Sequence, residues 1–384
     1  MTATGIPLNT SNPLHPDETS HRIEQALISF FSASDRIVGS EANYQVLLAC
    51  AFEEHFPGLV RREHKIPGSG VGAIDLVVLN THSSPLAVFE IKGGAWNERN
   101  SLKDSFTAGG SCTDMRKIEK IPLEPLMRWI VAVDAVELGQ SLNYRLQTRA
   151  TEEASARGLN FAYHAHGSSS CIIAHAGRPA TYARVPPLPP SDLQPPAIED
   201  AFGQHQLQSV LGPYHRSLAT EHDVVTCIYR NLVSVGFSRK QIGLETYFGF
   251  APGRMAEKPD MCIFDPKIDG HFNLYPYGDR TRSNDDLKLE SIQLMIEFKG
   301  GATLLKSGKK SLMKSYLADI EKLSKWRNLL RAEGARRGIS NHALDFMFIG
   351  VDLRPTPFDH ETVSELTQFA KTYHVAMRYV HLET

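Results

Sequence analysis

The chain has 384 residues, of which 42% are hydrophobic and 22% are charged, and its formal net charge is −2. This composition is that of a globular protein with room for about two domains of roughly 100–200 residues each. It excludes nucleic-acid binding through overall positive charge, so any such binding would depend on local basic patches.

The N-terminal segment, residues 1–20, starts as a polar stretch without the basic start and apolar run of a signal peptide, and it is predicted to be a loose arm. No apolar run approaches the roughly 20 residues needed to span a bilayer. The five cysteines are scattered and lack Cys-x-x-Cys spacing, which argues against a disulfide framework and a structural zinc site. Together these features predict a cytoplasmic protein.

A proline-rich stretch divides the chain near its middle. Six prolines fall between Val185 and Pro196. Proline removes backbone donors and favours extended conformations, which is typical of a linker. We therefore predict a linker at residues 185–198 between a first domain at 21–184 and a second domain at 199–384.

The two halves show the same order of predicted elements: a helix, strands, a helix, a strand, a helix and a strand. In chain order the landmarks of the first half are Ser40-Glu41, Glu63, Asp75, Glu90, Lys92, Asp114, Lys117, Asp134 and residues 159–163. Their counterparts are Thr220-Glu221, Glu245, Asp260, Glu297, Lys299, Asp319, Lys322, Asp352 and residues 375–379. This order predicts two tandem α/β domains, each with a mixed sheet flanked by helices.

Two segments differ between the halves. The second half inserts a polar segment at residues 265–291, which is predicted to be a protruding loop between two hairpin strands. The first half has an extension from Cys171 to Tyr182 that predicts an extra strand or hairpin.

A short apolar strand that ends in Glu-x-Lys-Gly-Gly occurs in both halves. In the first half, Glu90 and Lys92 share one face of the strand because side chains alternate. Asp75 opens the apolar run before it. The second half repeats the set as Asp260, Glu297 and Lys299. Two acids and a lysine that converge from adjacent strands outline a metal-dependent phosphodiester site.

This arrangement resembles the PD-(D/E)XK nuclease superfamily, which includes many restriction and repair endonucleases. The resemblance covers most of both halves and implies two tandem restriction-endonuclease-like domains. It implies that Mg²⁺, for which Mn²⁺ substitutes, is bound by Asp75 and Glu90, with Lys92 as the catalytic lysine. For the second half it implies the metal ligands Asp260 and Glu297 and the catalytic lysine Lys299. Glu41 and Glu221 match a further metal-binding acid that many members carry on their first helix.

The chemistry of these residue types supports the same interpretation. Mg²⁺ prefers oxygen ligands and takes one or two carboxylates together with waters and substrate phosphate oxygens. A bound metal polarises the phosphate and acidifies a water, and Lys92 is placed to orient that water and to offset charge in the transition state.

The predicted function is a Mg²⁺-dependent endonuclease that cuts double-stranded DNA, with two sites in one chain so that a monomer can cut both strands. Two alternatives stay open: a non-catalytic nucleic-acid- or partner-binding protein that retains the fold, and a nuclease that acts on RNA. Asp114, Lys117, Asp319 and Lys322 have helix-face spacing and are predicted to be surface charges, with phosphate contact by Lys117 or Lys322 as the alternative. His164 and His166 are predicted to face solvent on a strand rather than to bind zinc.

Overall fold

The structure is a computed structural model, and it describes residues 16–94, 113–121, 127–134, 144–188, 193–215, 218–251, 258–272, 285–340 and 344–383. These residues form two mixed β-sheets flanked by helices, so the predicted α/β class is confirmed. No helix in these ranges is long and apolar enough to cross a membrane.

The first sheet has seven strands that lie side by side in chain order. Strands β1 to β3 pair antiparallel, β3 to β5 pair parallel, and β5 to β7 pair antiparallel. In order, β1 to β7 span Val60–His64, Ile74–Leu79, Pro85–Gly94, Met127–Asp134, Asn160–Ala165, Ser170–Ala174 and Thr181–Arg184. The last two strands are the hairpin that the sequence predicts after Cys171.

The second sheet has five strands, and its pairing repeats that of β1 to β5. Strands β8 to β10 pair antiparallel, and β10 to β12 pair parallel. In order, β8 to β12 span Ile242–Leu244, Met261–Phe264, Ile292–Lys299, Asp345–Asp352 and Ala376–His381. The same three-strand meander therefore leads into parallel strands in each half of the chain.

Ten α-helices flank the sheets in the described ranges. They are α1 (Pro16–Ser34), α2 (Glu41–His55), α3 (Thr113–Glu119), α4 (Tyr144–Ala156), α5 (Ile198–Ala201), α6 (Gln204–Leu211), α7 (Glu221–Ser234), α8 (Asp285–Ser291), α9 (Lys309–Arg337) and α10 (His360–Thr372). Helices α3 and α4 cover the face of the first sheet on which Val77, Val88 and Ile130 are buried.

The predicted C-terminal boundary of the N-terminal arm, at residue 20, is wrong. Residues 1–15 lie outside the described ranges, but residues 16–20 belong to α1 rather than to a loose arm. Asp17 and Glu18 in the first turn suit the positive end of the helix dipole. Ile23, Leu27 and Phe30 are fully buried, so the packing of this apolar side holds the helix against the domain.

The predicted linker can be followed only in part, because residues 189–192 lie outside the described ranges. On either side of it, β7 ends at Arg184 and α5 begins at Ile198, with no helix or strand between them among the described residues. This position is where the sequence predicts the linker.

The predicted protruding loop at residues 265–291 is wrong at its C-terminal end. Residues 273–284 lie outside the described ranges, and α8 follows them. Asp285 and Lys288 of α8 are each 2% exposed and form an ion pair at 2.9 Å. Lys288 also donates to the Tyr247 carbonyl, so both charges are compensated inside the protein. The polar composition of the segment hid this buried pair.

The prediction that His164 and His166 face solvent is also wrong. The two side chains are 0% and 8% exposed. His164 lies 5.3 Å from the Phe31 ring of α1, measured between ring centroids. Its Nδ1 lies 3.3 Å from the Ser170 carbonyl oxygen of β6. Helix α1 and the β6–β7 hairpin, elements beyond the shared five-strand pattern, account for the burial.

The first turns of α2 and α7 match in sequence but differ in their caps. Thr220 forms a capping box with Asp223 at the start of α7. Ser40 precedes α2 without a side-chain cap, and its hydroxyl instead donates to the Leu244 carbonyl oxygen at 2.7 Å. The start of α2 therefore contacts strand β8 of the other sheet.

Asn43 of α2 extends this contact along the outer edge of β8. Its amide nitrogen donates to the Ile242 carbonyl oxygen at 3.1 Å, and its amide oxygen accepts from the Leu244 N–H at 3.2 Å. Asn43 is 1% exposed. One side chain thus satisfies a donor and an acceptor of an edge strand, as a neighbouring strand would.

We expect Asn43→Leu to lower the free energy of unfolding by about 2–4 kcal/mol, because it leaves a buried N–H and a buried C=O without partners. Urea-induced unfolding of the whole protein measures this loss. Asn231→Leu on α7, which removes only a 3.4 Å side-chain hydrogen bond to Gln206, is the matched control and should change stability by about 0.5 kcal/mol or less. Equal losses in both variants would contradict the edge-pairing role of Asn43.

Candidate active sites

The register of β2 and β3 brings the predicted residues of the first half together. Leu76 pairs with Phe89 in this antiparallel ladder, which places Asp75 opposite Glu90. Opposed residues have Cβ atoms about 4.5–5.5 Å apart. The Asp75 Oδ2 atom accepts from the Ile91 N–H at 2.7 Å, so the strand backbone fixes the carboxylate.

The second half repeats this geometry. Met261 pairs with Ile296, which places Asp260 opposite Glu297. The Asp260 Oδ2 atom accepts from the Phe298 N–H at 2.7 Å, the same distance as at Asp75. The structure therefore brings both predicted pairs of acids together at matching positions of the two sheets, with Asp75 within β2 and Asp260 directly before β9.

Each predicted catalytic lysine lies between two carboxylates. The Lys92 Nζ atom lies 2.7 Å from Glu41 Oε2 and 3.6 Å from Asp114 Oδ2. The corresponding distances from Lys299 Nζ are 3.0 Å to Glu221 Oε2 and 3.4 Å to Asp319 Oδ2. Glu41 and Glu221 thus contact the lysines in this structure.

A second lysine pairs with each strand glutamate. Lys117 Nζ lies 2.6 Å from Glu90 Oε1, and Lys322 Nζ lies 2.9 Å from Glu297 Oε2. We call Glu41, Asp75, Glu90, Lys92, Asp114 and Lys117 the first site. We call Glu221, Asp260, Glu297, Lys299, Asp319 and Lys322 the second site.

The prediction that the helix charges of both halves are surface charges is wrong. The side chains of Asp114 and Lys117 are 14% and 27% exposed and take part in the first site, and Asp319 and Lys322 do the same in the second. The sequence did carry a signal for them: Asp-x-x-Lys follows the Glu-x-Lys strand in both halves.

The paired acids favour their protonated forms in the absence of a cation. Burial, and then the neighbouring carboxylate of Glu41, raise the pKa of Asp75 to about 7. Burial and the charge of Asp75 raise the pKa of Glu90 to about 9. The same causes raise the pKa of Asp260 to about 7 and the pKa of Glu297 well above its usual range. A cation between each pair would offset this repulsion.

The lysines, in contrast, are held in their charged form. Burial lowers the pKa of Lys92, but the carboxylates of Glu41 and Asp114 outweigh burial and raise it above its ordinary value. Glu221 and Asp319 have the same effect on the pKa of Lys299. A charged ammonium suits a role in orienting water and stabilising negative charge, rather than accepting a proton.

The chemistry of the acids fits a hard divalent cation. Glu297 is 2% exposed, and its Oε1 atom has no hydrogen-bond partner among the described residues. Among the residues that the structure describes, no group of three His, Cys, Asp or Glu side chains is arranged to hold a metal. Mg²⁺ needs only one or two carboxylates because water and substrate phosphate complete its shell. A pair such as Asp260 and Glu297 fits that requirement.

The first glycine of each Glu-x-Lys-Gly-Gly motif is required by packing. A Cβ atom at Gly93 would lie 2.1 Å from the Tyr44 ring, and one at Gly300 would lie 2.8 Å from the Val351 Cβ atom. In the second motif, Gly301 has a φ of +97°, which glycine adopts readily. These glycines let the ends of β3 and β10 pass close to neighbouring elements.

Glu63 and Glu245 occupy corresponding positions in the two halves. The sequence predicts each of them within a strand; Glu63 lies in β1, whereas Glu245 directly follows β8. Both have left-handed backbone conformations, with φ values of 46° and 44°. Non-glycine residues rarely adopt this conformation, and such residues cluster at functional sites. Glu63 Oε1 accepts from the Gln45 amide at 3.1 Å, and Glu245 Oε2 lies 3.5 Å from Lys258 Nζ.

Without metal, we expect protein stability to fall as pH rises through the raised pKa values. The folded-state pKa of Glu90 lies above its unfolded value, so its contribution to stability is complete below about pH 4 and is lost as pH rises through about 9. A divalent cation held by these acids would replace the proton, so any stabilisation by Mg²⁺ should grow from about pH 6 to about pH 9.

Thermal unfolding with Mg²⁺ or with EDTA across this pH range measures that effect. Glu90→Gln, which cannot titrate, should flatten the pH dependence in EDTA and reduce the stabilisation by Mg²⁺. An unchanged pH dependence in this variant would contradict the raised pKa of Glu90.

Comparison with known protein families, with curated proteins and with solved structures finds no match. Evidence for a function therefore comes from contacts within the chain. The most informative observation is that the same ion pairs and the same backbone contact recur in two separate sheets.

Proposed function

We propose that the protein is a Mg²⁺-dependent endonuclease that cuts double-stranded DNA, with one active site in each half. The observation that carries this proposal is the duplication of the six-residue site, contact by contact. One Glu-x-Lys strand usually forms a surface ion pair worth about 0–1 kcal/mol. Here two copies of the site are buried, and burial raises the pKa of their carboxyl groups. Burying such groups destabilises the folded protein, and perturbed pKa values are characteristic of functional sites.

The fold supports placing each half in the PD-(D/E)XK class. Strands β1, β2 and β3 form the antiparallel meander that such a domain requires, with Asp75 on the second strand and Glu90 on the third. Helix α3 and the parallel strand β4 follow. Strands β8 to β11 and helix α9 repeat this order in the second half.

In each half, the strand acids would hold Mg²⁺, which supplies Lewis acidity toward the phosphate and lowers the pKa of a bound water. Lys92 stays protonated between Glu41 and Asp114, so it can orient a water and offset charge that builds on the phosphorus. Lys117 lies 2.6 Å from Glu90 and holds the side chain of this proposed ligand in place. The second site assigns the same tasks to Lys299 and Lys322.

Incubating the purified protein with supercoiled plasmid tests the proposal. We expect cleavage with Mg²⁺ or Mn²⁺ and none with EDTA. A double variant, Asp75→Asn with Asp260→Asn, purified in the same way, controls for a contaminating nuclease and should leave the plasmid intact. Equal cleavage by the wild type and the double variant would contradict the proposal.

The same assay distinguishes the alternatives. Cleavage of duplex RNA but not of DNA would assign the sites to RNA. Binding of DNA without cleavage in either metal would favour the non-catalytic alternative. The non-catalytic alternative does not explain by itself why the acids and lysines are kept together in both halves.

A further inference from the structure

A chain of hydrogen bonds leads from the first site to the second half of the protein. The Gln45 amide nitrogen donates to Asp75 Oδ1 at 3.1 Å. The Gln45 amide oxygen accepts from Arg62 at 3.0 Å. Arg62 also donates to the His222 carbonyl oxygen and to the Thr226 hydroxyl, both at 3.1 Å, on α7. Glu221, which pairs with Lys299, is the first residue of that helix.

Arg62 determines which end of the Gln45 amide faces the first site. A guanidinium group has only donors, so it must meet the amide oxygen. The amide nitrogen is thereby turned toward the acids, where it donates to both Asp75 Oδ1 and Glu63 Oε1. Arg62 is 2% exposed and Gln45 is 6% exposed, so water has little access to these bonds.

The second site lacks a counterpart of Gln45 and Arg62. The spacing from Glu41 to Gln45 corresponds in the second half to the spacing from Glu221 to Val225. The position before Glu63 is Arg62, whereas the position before Glu245 is Leu244. Val225 and Leu244 are both apolar and buried. Among the described residues, the Phe298 N–H is the one hydrogen-bond donor to the Asp260 carboxylate.

We propose that Gln45 and Arg62 are positioning residues of the first site alone: Arg62 orients the Gln45 amide, and that amide holds Asp75 for the metal. Metal uptake by the first site then depends on a contact between the two halves, whereas Asp260 of the second site is held by the Phe298 N–H of its own half. The two sites contain the same types of charged residues, but among the described residues only the first has a glutamine and an arginine that hold its aspartate. This inference rests on the proposed function, because it assigns the support of a proposed metal ligand.

Mn²⁺ titration by calorimetry tests the inference when one site is observed at a time. Asp260→Asn leaves the first site, and Asp75→Asn leaves the second. In the first-site background, Gln45→Val should weaken Mn²⁺ binding by about 10- to 100-fold, as the loss of an outer partner of a metal ligand does. In the second-site background, the same substitution should leave Mn²⁺ affinity unchanged, which separates positioning from a general loss of structure.

A double-mutant comparison tests whether Arg62 acts through Gln45. In the first-site background, Arg62→Leu should weaken Mn²⁺ binding, and adding it to Gln45→Val should cause no further loss. Thr226→Val preserves the shape of the side chain and removes one contact of Arg62 with the second half. It should weaken Mn²⁺ binding at the first site by about 2- to 10-fold. This variant tests the role of Arg62 even if Arg62→Leu does not fold. Arg61→Leu is the matched control, because the hydrogen bonds of Arg61 among the described residues go to the Gly58 and Val60 carbonyl oxygens and not to Gln45 or α7, and it should have no effect.

The outcomes separate this inference from the proposed function. An absence of Mn²⁺ binding in the wild type and in both backgrounds would overturn both. Normal first-site binding in Gln45→Val, equal losses at both sites, or additive losses in the Gln45→Val and Arg62→Leu combination would overturn the inference and leave the proposed function standing.

Discussion

Replacing either Lys92 or Lys299 with alanine should convert an enzyme that linearises plasmid into one that nicks it. Each lysine is held in its charged form between two carboxylates, so its loss removes a cation from one site and leaves the other site intact. The loss of one group that stabilises developing charge costs about 10²- to 10³-fold in rate. Gel analysis should show that open-circular plasmid accumulates in both single variants and that the double variant cuts neither strand.

Lys120→Ala is the matched control for these substitutions. Lys120 is exposed just beyond helix α3 and has no part in the site, so its removal should leave cleavage unchanged. Thermal unfolding should show that all variants fold. Loss of all cleavage from one single variant would make the other half structural, and undiminished cleavage by the double variant would falsify the role of the lysines.

Substituting the strand aspartates should remove metal binding one site at a time. Asp75→Asn or Asp260→Asn should reduce Mn²⁺ binding from two ions per chain to one, and the double variant should bind none at concentrations about 100-fold above the wild-type Kd. An amide oxygen lacks the negative charge that makes a carboxylate a strong ligand of a hard cation. The amide oxygen of Asn still accepts the N–H of Ile91 or Phe298, so the strands stay paired.

Calorimetry measures this stoichiometry. Asp269→Asn is the matched control because Asp269 is exposed, pairs with Lys240 away from both sites and has a left-handed backbone that Asn tolerates. Two ions bound per chain in the Asp75→Asn and Asp260→Asn double variant would contradict the assigned ligands.

The sequence predicts the strand acids and lysines well because their arrangement depends on short-range geometry. Glu90 and Lys92 share a face through alternation along a single strand, and Asp75 meets them across one hairpin. The order of helices and strands around them can be recognised in the sequence because it occurs twice. The extra hairpin after Cys171 was also readable from its own local pattern.

The residues that support the sites were harder to predict because their roles depend on tertiary packing. Asp114 and Lys117 have the spacing of any charged helix face, and only the docking of α3 on the sheet turns them toward Lys92 and Glu90. Arg62 bonds Gln45 within its own half and the His222 carbonyl oxygen of the other half, a contact that a sequence pattern within one half does not show. The burial of His164 and of Asp285 likewise depends on elements outside the repeated pattern.

The pairing of Asn43 and Ser40 with strand β8 limits how this protein can be divided or recombined. The two halves look like modules that could be exchanged at the proline-rich stretch. The second half taken alone would carry the backbone groups of Ile242 and Leu244 on an open strand edge, which is a template for pairing with another chain. A chimaera that borrows the second half must therefore also bring the start of α2 or supply a substitute for it.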